Sequence, residues 1–199
     1  VLLLHYAKSI FAHGKNKETL ELFEKLEPIF REANNIEHLV NLLVNKGILL
    51  SYIGDYQQAM QQGKETLAIL KEHSIDNFYT HQAERLIGVC ACLLGDEHEG
   101  LDWLNRAAAG VRQLLNTNKE IRISHELVQT LADIGYFSLQ SGDIFRAKAA
   151  YDEAVNVAKT IAGHQGDLAL AYNNQAYLLH MAGDYQKSWN KYDIALEAA

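Results

Sequence analysis

One short turn recurs along the chain and limits what the chain can fold into. It reads "IGDYQQA" at 53–59, "LGDEHEG" at 94–100, "SGDIFRA" at 141–147 and "AGDYQKS" at 182–188. A fifth glycine, Gly14 in "HGKNKETLELF", stands in the same relation to its flanks. The turn glycines Gly14, Gly54, Gly95, Gly142 and Gly183 are 40, 41, 47 and 41 residues apart. A glycine in the left-handed conformation ends a helix. The aspartate after it caps the next helix and sets negative charge at the positive end of its dipole. Each turn is therefore expected to join the two helices, A and B, of an antiparallel hairpin.

The flanks repeat as well. Seven residues before the turn glycines stand Ala7, Gly47, Gly88, Gly135 and Ala176. Five after stand Thr19, Ala59, Gly100, Ala147 and Ser188, and twelve after stand Leu26, Thr66, Ala107, Ala154 and Ala195. Nine after, Phe23, Tyr151 and Tyr192 are aromatic. Small residues on both helices let the axes approach closely, and larger apolar groups fill the flanking grooves. Gly135→Leu should force the helices of the fourth hairpin apart and cost on the order of 1–3 kcal/mol or more.

Composition agrees with an all-helical chain. Apolar residues make up 48%, enough for a sizeable core, and there is one proline. The pattern predicts helices over 2–12, 16–33, 36–53, 56–73, 78–94, 97–115, 120–141, 144–161, 167–182 and 185–198. Pro28 falls inside the second and predicts a kink or a break there. The linkers "EANNIEH", "EHSIDNF", "LNTNKEI" and "AGHQGD" are polar.

This pattern resembles the tetratricopeptide repeat (TPR), whose signature places Leu-Gly and Tyr in helix A and Ala, an aromatic and Ala in helix B. The fifth repeat matches with Tyr172, Ala176, Leu179, Gly183, Tyr185, Tyr192 and Ala195. The fourth matches with Leu131, Gly135, Gly142, Ala147, Tyr151 and Ala154. The third departs, with Glu84 where an apolar residue is expected, and the first rests on Gly14 and Ala7. The units run to about 40 residues rather than about 34, and none ends in proline. The resemblance implies an all-α, right-handed superhelical solenoid of about five TPR-like helix-turn-helix repeats. They fall at 1–34, 35–76, 77–118, 119–165 and 166–199 and form one array over 1–199. Units of this length resemble the repeat arms of bacterial signal-transduction ATPases and of maltose-activator-type transcription regulators. The chain opens on Val1 and stops at "IALEAA", so it reads as a piece of a longer protein.

Several function classes recede. The formal charge is −7 and basic residues are scattered, which argues against direct nucleic-acid binding. No apolar run approaches a membrane span, and "VLLLHYAKSIFA" lacks the flanks of a signal peptide. Cys90 and Cys92 point to different faces of one helix and read as small buried residues in a reducing, cytoplasmic setting. "HELVQ" at 125–129 begins like a zinc-protease motif, but Gln129 stands where the second histidine is needed. The acidic "GDEHEGLD" at 95–102 reads as a helix start. No catalytic constellation stands out, so neither an enzyme nor a cofactor is expected.

The face of the A helices is the better place to look for function. Positions ten, six and two or three before the turn give Val44, Ile48, Ser51 and Tyr52 in the second repeat, and Arg85, Val89, Cys92 and Leu93 in the third. The fourth gives Ala132, Tyr136, Leu139 and Gln140, and the fifth Asn173, Tyr177, His180 and Met181. Gln82 and Gln129 extend the set at thirteen before. The candidate partner-binding residues are Tyr52, Gln82, Arg85, Val89, Gln129, Tyr136, Gln140, Asn173, Tyr177 and His180. Tyrosines and amides offer apolar bodies with polar tips that can engage a protein or peptide; the competing expectation is that Tyr136 and Tyr177 only pack between repeats. Asn173 and Asn174 resemble part of the carboxylate clamp of chaperone-binding TPRs, but Tyr177 replaces its second asparagine and the clamp lysines are missing. The expected role is a protein-interaction or ligand-sensing module of a regulator. The alternatives are a receptor for a short signalling peptide and a stand-alone adaptor or scaffold. Terminal repeats without caps leave apolar faces open to self-association.

Overall fold

The computed structural model describes residues 2–161 and 165–199. The first residue of "VLLLHYAKSIFA" and residues 162–164 of the linker "AGHQGD" lie outside the described residues. The described chain forms ten helices and no strand. They are α1 (Leu2–Ala12), α2 (Asn16–Glu32), α3 (Ile36–Tyr52), α4 (Tyr56–Glu72), α5 (Phe78–Leu93), α6 (Glu97–Thr117), α7 (Ile121–Gln140), α8 (Ile144–Ala158), α9 (Gln165–Met181) and α10 (Tyr185–Glu197). Every boundary falls within three residues of the expected one. The chain packs as two compact units, Val1–Trp103 and Leu104–Ala199, each described by itself.

The turns explain the accuracy. All five turn glycines have positive φ, between 74° and 95°. At Gly54 the glycine N–H donates to the Ser51 carbonyl at 3.1 Å and the Asp55 N–H to the Leu50 carbonyl at 2.9 Å. These are the two bonds of a Schellman helix end. Asp55, Asp143 and Asp184 then accept from the backbone N–H three residues on and cap α4, α8 and α10. Asp96 accepts the same bond from Glu99 at the start of α6. The first two B-to-A turns use the same geometry without glycine: Asn34 (φ 49°) and Ser74 (φ 54°) take the left-handed position. Their N–H groups reach Arg31 and Lys71, and the next N–H groups reach Phe30 and Leu70.

The small-residue positions seven before, five after and twelve after the turn are buried in all five repeats. In the first unit α3 packs on α2, α4 and α5, and α1 packs on α2 and α3. Leu4, Phe23, Leu26, Phe30, Leu42 and Leu49 belong to one core cluster there. Burying a side chain such as Phe23 is worth about 1.5–3 kcal/mol. In the second unit α7 packs on α8 and α9, and α9 on α8 and α10. A Cβ on Gly135 would stand 2.6 Å from Cδ1 of the buried Tyr151.

Two expectations are corrected. Pro28 does not break its helix, and α2 runs through it to Glu32. Proline removes the bond to the carbonyl of Glu24, and both Glu24 and Pro28 face solvent, where water can satisfy that carbonyl. Glu84 is not a defect in the third repeat: it is 6% exposed and its Oε2 lies 3.1 Å from Nδ1 of buried His81. A hydrogen-bonded pair occupies a core place without leaving the carboxylate unsatisfied.

Candidate functional site

In the first unit, the candidates come from α3 and α5. Tyr52 ends α3, is 75% exposed, and stacks edge-on against Phe11 at 5.5 Å between ring centroids. Gln82, Arg85 and Val89 follow at spacings of three and four along α5 and are all half-buried, so they share one partly covered stripe. Two positions of the expected face belong to the core instead. Val44 is fully buried, and Cys92 lies under the first turn of α6, where Gly100 leaves room for its sulfur. Both cysteines are buried and neither is in a disulfide, and burial pushes the Cys90 thiol up to about 12, which keeps it protonated and unreactive.

In the second unit, α7 contributes half-buried Gln129 and exposed Tyr136 and Gln140, and α9 contributes exposed Asn173 and His180 with half-buried Tyr177. The two tyrosines sit on helices that pack on each other, α7 and α9. Burial first, and then the Tyr177 phenol, the Asp133 carboxylate and the Tyr136 phenol, push the Tyr151 phenol well above its ordinary value. Tyr151, Tyr136 on α7, Tyr177 on α9 and Asp133 thus lie near enough to act on one another electrostatically. Tyr136 also stacks edge-on with Phe137 at 5.1 Å. The other candidates spread outward. His180 packs against Tyr185 at 5.2 Å, beside the turn, and Asn173 lines a separate depression toward α10.

Sequence reasoning missed Asp133, because a lone aspartate at a repeat position outside the chosen face carries no signal. It also missed a polar link from α7 to α9. His125 Nδ1 lies 2.6 Å from Oδ1 of Asp167, whose side chain is 3% exposed. The partners are 42 residues apart, close to one repeat length, and that periodicity is the signal that could have found them. No group of three metal-ligating side chains is gathered among the described residues. None of their helices is long and apolar enough to cross a membrane.

Residues 1–72 match the family described as tetratricopeptide repeat. The whole chain has the fold of a tetratricopeptide-like helical repeat. Its TPR-like backbone is shared by solved structures at low identity. BtubC from P. vanneervenii superposes with a TM-score of 0.71 at 16% identity, over 98% of this chain and 86% of that one. A Rap protein complexed with Competence and Sporulation Factor gives 0.85 at 16%, over 99% and 53%. A signal-transduction ATPase (STAND) protein with a tetratricopeptide-repeat sensor from Pyrococcus horikoshii gives 0.65 at 16%, over 92% and 26%. The TPR-like chain therefore spans about half the length of the Rap protein and about a quarter of the ATPase. No curated protein matches the sequence significantly.

Proposed function

We propose that this chain is a non-catalytic protein- or peptide-recognition module of a transcriptional or signalling regulator. The observation that carries the reading is a pair of accessible tyrosines, Tyr136 and Tyr177, on the packed A helices α7 and α9, with the amides of Gln129 and Gln140 also on α7. Such a set grips an extended backbone and an apolar side chain without providing a nucleophile or an acid–base pair. On this reading the two units form one array. Tyr52, Gln82, Arg85 and Val89 extend the face in the first unit, and Gln129, Gln140, Asn173 and His180 extend it in the second. Partner binding shifts the balance between conformations of the array, and so the state of whatever is attached to it. The regulator is bacterial and cytoplasmic, needs no cofactor, and reaches neither nucleic acid nor membrane through this segment. The STAND protein with a repeat sensor supports this assignment by likeness of fold.

A second reading, a receptor for a short signalling peptide, is favoured by the Rap structure, whose ligand is Competence and Sporulation Factor. A stand-alone adaptor that self-associates through its terminal repeats remains the third. The test is a peptide-display selection on the intact chain, followed by titration of the selected sequences. Tyr136→Ala and Tyr177→Ala should each weaken binding about tenfold or more while the thermal unfolding midpoint stays near wild type. Normal binding by both variants refutes the face. Selected sequences of five to ten residues (roughly the reach of a groove across a few helices) would favour the receptor over the protein-docking module.

A further inference from the structure

Two of the A-to-B turns differ from the other three in what they expose. One residue before the turn glycine, the second and third repeats carry Ile53 and Leu94, 48% and 46% exposed. The first, fourth and fifth repeats carry His13, Ser141 and Ala182 there. All five helix ends close with the same pair of backbone bonds around a glycine of positive φ. The turn itself therefore does not require a large apolar residue at that place, and leaving one half in water is unfavourable. Neither residue belongs to a terminal helix: Ile53 joins α3 to α4, and Leu94 joins α5 to α6. They meet at an open depression of about 430 Å³, lined by Ile53, Gly54, Asp55, Tyr56, Gln57 and Leu94.

The surroundings of this depression carry charge of one sign. No lysine or arginine occurs between Lys46 and Lys64, or between Arg85 and Arg106. Those two stretches hold five carboxylates, Asp55, Asp96, Glu97, Glu99 and Asp102, and one histidine, His98. The other A-to-B turns are mixed. The first carries Lys15 and Lys17, the fourth is followed by Arg146 and Lys148, and in the fifth Lys187 pairs with Asp184 at 2.6 Å. The N-termini of α4 and α6 offset only about half a charge each, so the edge stays negative. Asp55 accepts from the Gln58 backbone N–H with one oxygen and from the Gln58 amide with the other. A carboxylate has about four acceptor sites, so Asp55 can take further donors. Asp96 is exposed and stands two residues from Leu94, within about 7 Å along the chain.

We propose that this turn edge of the first unit docks a basic segment of a partner protein, with one arginine seated in the depression and an apolar neighbour resting on Leu94. The choice of occupant follows from charge complementarity. An arginine stem lies along apolar surface while its charged head stays at a polar rim. The guanidinium forks onto a carboxylate through two parallel bonds and stacks on aromatic faces. Here Ile53 and Leu94 receive the stem, Asp55 receives the fork, and the half-buried Tyr56 offers the ring. Asp96 and Glu97 meet a second basic residue of the same segment. The site includes none of the candidate residues on the A-helix face. It is a second, separate contact, and it stands or falls independently of Tyr136 and Tyr177.

The test is a selection of displayed random peptides on the intact 199-residue chain, counter-selected on the double variant Asp55→Asn with Asp96→Asn. Asparagine caps a helix about as well as aspartate, so the double variant loses charge and keeps its turns, and its circular dichroism melt should match wild type. Peptides that bind the wild type and not the double variant should carry Arg or Lys beside Leu, Ile, Phe or Tyr. The best of them, titrated by fluorescence anisotropy, should bind the double variant about tenfold more weakly or worse, and citrulline in place of its arginines should cost as much. Raising the salt from about 0.05 to about 0.5 M should weaken it further. Leu94→Ser, which copies Ser141 of the fourth repeat, should cost about fivefold by removing apolar contact and leave the melt unchanged. Tyr136→Ala should leave this peptide's affinity intact. The proposal is overturned if no selected peptide depends on the two aspartates, if those that do lack basic residues, or if the citrulline peptide binds equally well. Self-association of the wild type that Leu94→Ser abolishes would give the edge to a second copy of this chain, and overturns the proposal too.

Discussion

In the fourth repeat the space left by Gly135 is filled from within the hairpin, by the ring of Tyr151 nine residues after the turn glycine. In the second repeat the equivalent place, nine after the turn, is Gly63, so the hairpin pairs Gly47 with a second glycine and has no ring of its own. The next hairpin supplies the missing bulk. A Cβ on Gly47 would collide with Cδ2 of Leu86, and one on Gly63 would stand 2.8 Å from Cγ1 of Ile87. Both side chains come from α5. One spacing rule thus gives a self-sufficient hairpin in one place and a dependent one in another. The lesson is that small residues in this register fix how closely helices approach, while the origin of the filling group decides how strongly neighbouring repeats are coupled.

The largest test removes the internal filler. Tyr151→Ala should cost about 3–5 kcal/mol, the usual range for deleting a fully buried aromatic ring. Chemical denaturation reads it as a lower midpoint. If the loss is under about 1 kcal/mol, the fourth hairpin is not held by its own ring and the contrast with the second repeat collapses.

Overfilling should come next. Gly135→Leu, or the milder Gly135→Ala, drives a side chain into a rigid, buried ring and should cost about 1–3 kcal/mol. Gly47→Ala meets the movable end of Leu86 and the Ala59 carbonyl oxygen at 3.2 Å. The gain of about 0.5–1 kcal/mol from removing a mid-helix glycine offsets part of that strain. Gly47→Ala should therefore come out well below Gly135→Ala by thermal denaturation. Equal losses at the two sites would show that the neighbour's Leu86 is as immovable as Tyr151.

The same contrast explains how much of the molecule was legible in advance. The A-to-B turns were legible because they depend on local chemistry: a left-handed glycine, followed in all but the first by a capping aspartate. Asn34 and Ser74 do the same work at the first two B-to-A turns, but both tolerate other conformations, so their role there was hidden. Pro28 does not break α2 because the carbonyl it frees faces solvent, and that is a property of the fold. The candidate face was half legible. Spacing put Tyr136 and Tyr177 on the A helices α7 and α9, which pack on each other. Spacing could not tell that Val44 and Cys92 turn inward, because burial depends on what lies opposite. For Cys92 that is Gly100, on another helix. Asp133 emerged only from its neighbours in space.

The smallest expected effect compares how hairpins are tied by their polar groups. Eight before the turn, Lys46 of α3 donates to Glu27 of α2, and Gln175 of α9 donates to Asp152 of α8. The first link joins two opposite charges, and the second has a neutral donor. Burial pushes the Glu27 carboxyl up, but hydrogen bonds from Lys46 and Arg31 outweigh it and hold the carboxyl below its ordinary value. Arg31 extends the link to Glu65 of α4. Because the folded carboxyl binds its proton more weakly than the unfolded one, its contribution is complete above the unfolded value of about 4.3. That contribution is lost as the pH falls through the lower, folded value. Glu27→Gln should therefore lower stability near neutral pH by under about 1 kcal/mol, since the pair is partly solvated. The gap to wild type should close on acidification below about pH 4. Gln175→Leu removes a neutral donor, so its loss should persist at pH values where the Glu27 effect has already gone. Melting curves of the two variants against pH separate the cases. A Glu27→Gln deficit that stays constant down to pH 3, well below the unfolded carboxyl's ordinary value, would mean that shape rather than charge joins the first hairpin to the second.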